Sequence, residues 1–265
     1  MNFSVLKFCI IVFTLASITV SCFGQRDSVQ TIRKKPIRFE PNETVMIVPN
    51  YTAQFPFGNM KQRYGFNSLF SAQVMYKNKK NWMFGGEGGF LYSTNVKESY
   101  VINGIATYYD QFITQQNSVT TVTLGEQGFN IKFVFGKVIP FSPKYPDAGL
   151  LLMTEAGFLQ HKIAINVKES QLPQLSPTYK KGYDRMANGP VISQFVGGTF
   201  MSRKKYLSCY AGLQFDAAFT QGRRPYDFYL MAPLHDTRFD LFVGLKIGYI
   251  IPIFLQTSEK EFFYY

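Results

Sequence analysis

Phe129-Asn-Ile-Lys-Phe-Val-Phe-Gly136 decides how this chain folds. In an extended chain Phe129, Ile131, Phe133 and Phe135 share one face, and Asn130, Lys132, Val134 and Gly136 share the other. Alternation of this kind is a strand signal. A sheet with one wet face and one buried face shows it, and so does the wall of a membrane barrel. The charges separate the two cases.

The same pattern recurs along the chain. In 205–220, Cys209, Ala211, Leu213, Phe215 and Phe219 oppose Ser208, Tyr210, Gln214 and Asp216. In 82–93, Trp82, Phe84, Phe90 and Tyr92 oppose Glu87 and a set of glycines. In 238–253, Leu241, Val243, Leu245, Ile247 and Tyr249 oppose Gly244, Lys246 and Gly248. Gln194 and Ser193 fall on opposite faces, so 190–201 is ambiguous. Glu87, Lys132, Glu155, Asp216 and Lys246 all stand in mid-strand, among glycines and amides. A lysine there on a lipid-facing side would cost roughly 2–4 kcal/mol. The charges therefore belong inside, paired across a lumen, with the oily faces outside.

Eight such stretches are expected: 45–56, 66–77, 82–93, 126–138, 148–164, 190–201, 205–220 and 238–253. Their connections alternate in length. Asn78–Asn81, about nine residues around Pro143–Asp147, and Ser202–Lys204 are short. Phe57–Gly65, the segment after Thr94, Asn166–Gly189 and Gln221–Thr237 are longer. In an up-and-down sheet this gathers tight turns at one end and loops at the other, as in outer-membrane barrels. The predicted fold is all-β: an eight-stranded antiparallel up-and-down transmembrane β-barrel. Eight strands leave an interior that side chains fill. Gln54, Asn67, Gln73, Glu87, Lys132, Glu155, Tyr210, Gln214, Asp216 and Lys246 are the expected polar plug, with no wide aqueous channel.

The N-terminus places Lys7 before an apolar run from Phe8 to about Val20, then small and polar residues. That is the layout of a secretory signal peptide. Cleavage is expected after Gly24, with lipoprotein processing at Cys22 as the rival. The expected organisation is a signal peptide over 1–24, a periplasmic arm over 25–43, the barrel over 44–254 and a periplasmic tail over 255–265. Past the signal no apolar run is long enough for a membrane helix. Of the three cysteines only Cys209 lies beyond that segment, which excludes an intrachain disulfide framework. The net charge of +11 could suggest nucleic acid, but export points instead to anionic lipid and lipopolysaccharide phosphates.

Lys246-x-Gly248-x-x-Ile251-x-Ile253 fits a polar-x-Gly-x-x-apolar-x-apolar pattern in the last strand. It resembles the terminal-strand signal read by the outer-membrane assembly machinery, although here the chain runs on to Tyr265. With the export signal and the sorted loops, the chain is similar to small Gram-negative outer-membrane barrels of the kind represented by the OmpA transmembrane domain. Its aromatic-rich style, 17% Phe, Trp and Tyr, resembles such proteins from Bacteroidota. That resemblance implies an outer-membrane location and a role as a structural protein or accessory subunit of an export or assembly complex, such as type IX secretion.

No catalytic, cofactor or metal site is expected. His161 shares a face with Glu155, and a lipid A-modifying enzyme centred on His161 is the rival reading; a narrow pore is another. A hydrolase of that kind needs a Ser within reach of the His, and no spacing fixes one. Two distant histidines and one cysteine give no metal-ligand spacing. Lys180, Lys181, Arg223, Arg224, Tyr226 and Tyr229 are candidate contacts to lipopolysaccharide or a protein partner. The turn residues Lys77, Lys79, Lys80, Arg203, Lys204 and Lys205 could meet an acidic partner on the other side.

Overall fold

The computed structural model describes residues 43–109, 111–143, 145–167, 172–201 and 208–254. The expected signal peptide, nearly all of the arm, the tail and Arg203, Lys204 and Lys205 lie outside the described residues.

Eleven strands are present among them: β1 (Thr44–Gly58), β2 (Asn67–Lys77), β3 (Trp82–Ser93), β4 (Phe112–Ile113), β5 (Val119–Thr120), β6 (Val122–Ser142), β7 (Tyr145–Val167), β8 (Ala187–Met201), β9 (Ser208–Gly222), β10 (Thr237–Tyr249) and β11 (Ile251–Phe254). β4 and β5 form a separate small hairpin inside the loop between β3 and β6. The others run in the order β10-β9-β8-β7-β6-β3-β2-β1, every neighbour antiparallel. β1 closes the ring on β10, from Asn50 against Gly248 to Gly58 against Asp240. β11 extends that seam from Ile47 against Ile251 to Thr44 against Phe254. The register is the same on both sides of Ile250, so β10 and β11 act as one strand. Pro49, which has no N–H to offer, sits in the gap between the two paired segments. Ile250 itself donates to Ser208 O at 2.8 Å. The molecule is thus an eight-stranded antiparallel barrel.

The β2–β3 hairpin has its turn where expected. Asn81 takes the left-handed conformation (φ 61°) that asparagine tolerates, and Asn78 Oδ1 accepts from the Lys80 and Trp82 amides. The β6–β7 connection corrects the sequence reading. Ser142 pairs with Tyr145, so the turn is two residues and not about nine. Pro140, Pro143 and Pro146 read as loop residues, but a register shift between Pro140 and Ser142 absorbs the missing donors and the ladder continues. β6 and β7 also outrun the expected strands at the other end, reaching 21 and 23 residues. About 9–11 residues suffice to cross a bilayer, so roughly half of this ribbon stands beyond that depth.

Through the middle of the strands side chains sort by parity. The outer wall is apolar: Phe70, Val74, Phe84, Phe90, Phe129, Ile131, Phe133, Phe135, Ile192, Leu213, Leu245 and Ile247 are all exposed. The inner side is layered, which the sequence reading of a polar plug did not anticipate. Toward the turn end lie Met46, Val48, Met75, Met83, Val138, Leu151, Met153, Phe195 and Ile250. Toward the loop end lie Met60, Tyr64, Leu159, Ile163, Val191, Ala218 and Phe242. Charged residues occupy the layer between. Along β7 the inward order is Met153, Glu155, Leu159; along β10–β11 it is Phe242, Lys246, Ile250.

Candidate functional site

The middle layer brings together side chains from all eight barrel strands. Lys132 Nζ lies 2.5 Å from Glu155 Oε2, 3.3 Å from Asp216 Oδ1 and 3.4 Å from Glu87 Oε1. Lys246 Nζ lies 2.6 Å from Glu87 Oε2 and 3.0 Å from Glu155 Oε1. Two ammonium groups and three carboxylates thus share one cluster, all of them buried. Amides and hydroxyls add further hydrogen bonds. Gln54 donates to Asp216 (2.9 Å), Gln73 to Glu87 (2.5 Å), and Gln214 to Glu155 and Asp216 (3.2 and 3.1 Å). Tyr210 Oη donates to Gln73 Oε1 at 3.0 Å, and Lys132 reaches Ser193 Oγ at 3.3 Å. Nine of the ten expected plug residues meet here. Asn67 does not; it donates to Glu126 at 3.2 Å, nearer the loop end. Ser193, ambiguous in the sequence, is the inward member of its pair.

Gly248 of the terminal-strand pattern has a concrete reason to be glycine. It faces inward, and the ring of Tyr210 occupies the space a Cβ would need. In the same pattern Lys246 belongs to the ion layer, while Ile251 and Ile253 face outward.

The loop end is closed by a second cluster, missed by sequence reasoning. Each of the four loops supplies a member. Arg63 Nε donates to Glu98 Oε2 at 3.1 Å. Arg185 Nη1 lies 3.1 Å from the same oxygen, and Arg185 Nε donates to Asp227 Oδ2 at 2.7 Å. The Arg185 guanidinium also lies over the rings of Tyr100 and Tyr229, 5.5 and 5.8 Å from their centroids. All four charged groups are buried. Burial works against the Arg185 charge, but Tyr100, Glu98 and Asp227 together outweigh it and hold its pKa above the ordinary guanidinium value. Arg185 has φ 43°, a left-handed conformation that non-glycine residues adopt at a cost; the ion pairs hold it there. Beneath this clasp Tyr64 is fully buried, and burial raises its pKa above the usual phenol value, so it stays neutral.

Contacts within the loops consume groups that looked available. Arg224 makes a two-point contact with Asp184, so its guanidinium fork is not free for a phosphate. Lys180 donates to Ile165 O at 2.9 Å, and Tyr229 packs against Tyr100. Lys181, Arg223 and Tyr226 remain exposed, Arg223 with one bond to Asn188 Oδ1 (2.6 Å). Tyr108, 95% exposed, and Tyr109 project from the second loop. A small dent of about 170 Å³ lies between Phe112, Ile113, Leu172 and Leu175, below the roughly 300–1,000 Å³ of small-molecule sites.

His161 is fully buried. Its Nε2 lies 3.4 Å from Asp240 Oδ2, and Tyr64 packs edge-on at 5.7 Å. The neighbouring hydroxyl, Thr220, gives its hydrogen to Asp240 at 2.5 Å and not to the imidazole. The cluster therefore holds an Asp bridging His and Thr, and not a hydroxyl activated by a histidine. Glu126, Thr220 and Asp240 gave no signal in the sequence beyond inward parity.

No family model and no curated protein sequence matches the chain. Among solved structures it is similar to Neisserial surface protein A, at 9% identity over 78% of this chain and 96% of that one, with a TM-score of 0.40. It is also similar to Ail, the attachment invasion locus protein of Yersinia pestis. In complex with the heparin analogue sucrose octasulfate, Ail matches at 10% identity over 79% of this chain and 98% of that one, TM-score 0.36. A second Ail structure matches with a TM-score of 0.34. The barrel assignment here rests on this chain's own strand pairing, and nothing about its activity follows from these likenesses.

Proposed function

We propose that this chain is an outer-membrane barrel that works by contact and not by catalysis. It would serve as a structural protein or as an accessory subunit of an outer-membrane export or assembly complex, with type IX secretion as the nearest kind. The observation that carries the reading is the inversion of polarity: an exposed apolar wall surrounds five buried charges. Water would reverse that arrangement, and hydrocarbon favours it. Lipid and lipopolysaccharide are the surroundings this implies. The closed lumen leaves the loops and turns as the working surfaces. Tyr108, Tyr109 and Tyr226 supply exposed aromatic area of the type that anchors protein interfaces, and Lys181 and Arg223 supply charge for phosphate or for an acidic partner.

Affinity purification of the tagged chain from solubilised outer membrane, with mass spectrometry of what accompanies it, tests the subunit reading. Stoichiometric co-purification of other envelope proteins is expected. Recovery of the barrel alone at native expression levels would refute the subunit role. A folded, detergent-independent monomer in aqueous buffer would refute the membrane reading itself.

A further inference from the structure

The outward face of the barrel changes character abruptly near the loop end of β7, β8 and β9. Phe158 lies opposite Pro190, and Phe219 lies opposite Phe239; these belong to the apolar wall. The next outward residues toward the loops are Gln160, Asn188, Gln221 and Thr237, each paired with the next around the sheet. One step further stand Lys162 and Arg223. The Arg223 N–H donates to Met186 O at 2.9 Å, so the β8–β9 ladder runs on past Gly222. Lys162 and Arg223 therefore share a row, with Met186 between them. Two strand spacings separate them, roughly 10 Å at Cα, which side chains of this length can span.

Both cations keep donors to spare. Lys162 has no hydrogen-bond or ion-pair partner among the described residues. Arg223 is anchored through Nε to Asn188 Oδ1 at 2.6 Å, and Asn188 Nδ2 donates in turn to Gln160 Oε1 at 3.4 Å. The Nε bond draws the guanidinium toward β8 and leaves its two Nη groups without a partner among the described residues. Such a fork suits two oxygens of a phosphate. Asp184 and Asp236, the carboxylates of the adjoining segments, are held by Arg224 and Arg238. Among the described residues, no other outward position in the loop-end halves of the barrel strands is charged.

We propose that this patch seats one phosphorylated glycolipid of the loop-side leaflet. It offers the three chemistries that such an amphiphile presents. Lys162 and Arg223 take the phosphate. The carboxamides of Gln160, Asn188 and Gln221 have donors and acceptors for sugar hydroxyls, which a simple phospholipid would leave unused. Deeper in the wall, Phe158, Ile192 and Phe219 lie along the acyl chains. The inference rests on the reading of the outer wall as lipid-facing, and names the lipid that this wall would hold.

The test is native mass spectrometry of the full chain in detergent, titrated with bisphosphorylated lipid A. A saturable one-to-one complex is expected. Lys162→Gln and Arg223→Gln should each weaken it roughly tenfold, with the heat-dependent gel shift of the folded barrel unchanged. Lys61→Gln, at an exposed cation of the first loop, should leave it as it was. Dephosphorylated lipid A and phosphatidylglycerol should both bind roughly tenfold more weakly than the bisphosphorylated form. Four results would overturn the seat while the membrane reading stands: no saturable binding by a gel-shifting parent, variants that bind like the parent, equal binding of phosphatidylglycerol, or displacement by millimolar inorganic phosphate. A parent chain that is folded and monomeric without detergent would overturn the seat and the membrane reading together.

Discussion

Lys246 bridges Glu87 and Glu155 at 2.6 and 3.0 Å with no exposed surface, so its removal is a sharp test of the ion layer. Lys246→Met fills a similar volume without a charge. It leaves three carboxylates, Glu87, Glu155 and Asp216, facing Lys132 alone. Breaking a buried pair by removing one partner costs about 3–5 kcal/mol, because the remaining charge stays desolvated. A domain's total stability is roughly 5–15 kcal/mol, so the loss should be large. Removing both partners should cost far less: in Lys246→Met with Glu87→Gln the charge balance of the layer is restored, and about 1 kcal/mol or less is expected. The assay is urea unfolding of the barrel in detergent or lipid, followed by fluorescence of Trp82, the single tryptophan, which stacks on Phe135 at 5.1 Å. A single variant within about 1 kcal/mol of the parent would mean that the layer is hydrated. A double variant as unstable as the single would mean that these two residues are not energetically paired. Either result refutes the reasoning.

Arg185→Ala should release the third and fourth loops from the second while the barrel stays folded, since it leaves Asp227 buried without its ion pair and Glu98 with Arg63 alone. Protease cleavage in the loops should rise on the order of a hundredfold, with the heat-dependent gel shift unchanged. Ile131→Lys, at a position 62% exposed on the outer wall, should destabilise the membrane-embedded barrel by roughly 2–4 kcal/mol; a neutral effect on unfolding in lipid would contradict a lipid-facing wall. His161→Ala should leave the lipid A mass profile of the membrane as it was, and an acyl-chain difference that tracks His161 would restore the enzyme reading.

The strands were legible because a barrel wall imposes the simplest of sequence codes. Lipid outside and filling inside force a period of two, and Phe129–Gly136 shows it without interruption. The ion layer was legible for the same reason: Glu87, Lys132, Glu155, Asp216 and Lys246 share inward parity, and their membership follows from closure of the ring. Two things were not. Parity says nothing of depth, so the methionines at 46, 75, 83 and 153, inward but apolar, gave no hint that they form a stratum of their own. The clasp was hidden because Arg63, Glu98, Arg185 and Asp227 sit on four separate loops with no periodicity to relate them; only the folded loops bring the charges together. The β6–β7 turn failed through a true signal wrongly weighed. Proline does interrupt a ladder, but a local register shift lets the ladder resume beyond it.

The banded interior sets a particular series of obstacles for any ion that enters the bore. A hydrated ion that had passed the charged groups at either mouth would meet an apolar stratum before the ion layer, and would have to shed its water there. Two oily bands lie in series along the bore, with the salt shelf suspended between them. Neutralising that shelf would weaken the scaffold without unplugging the bore.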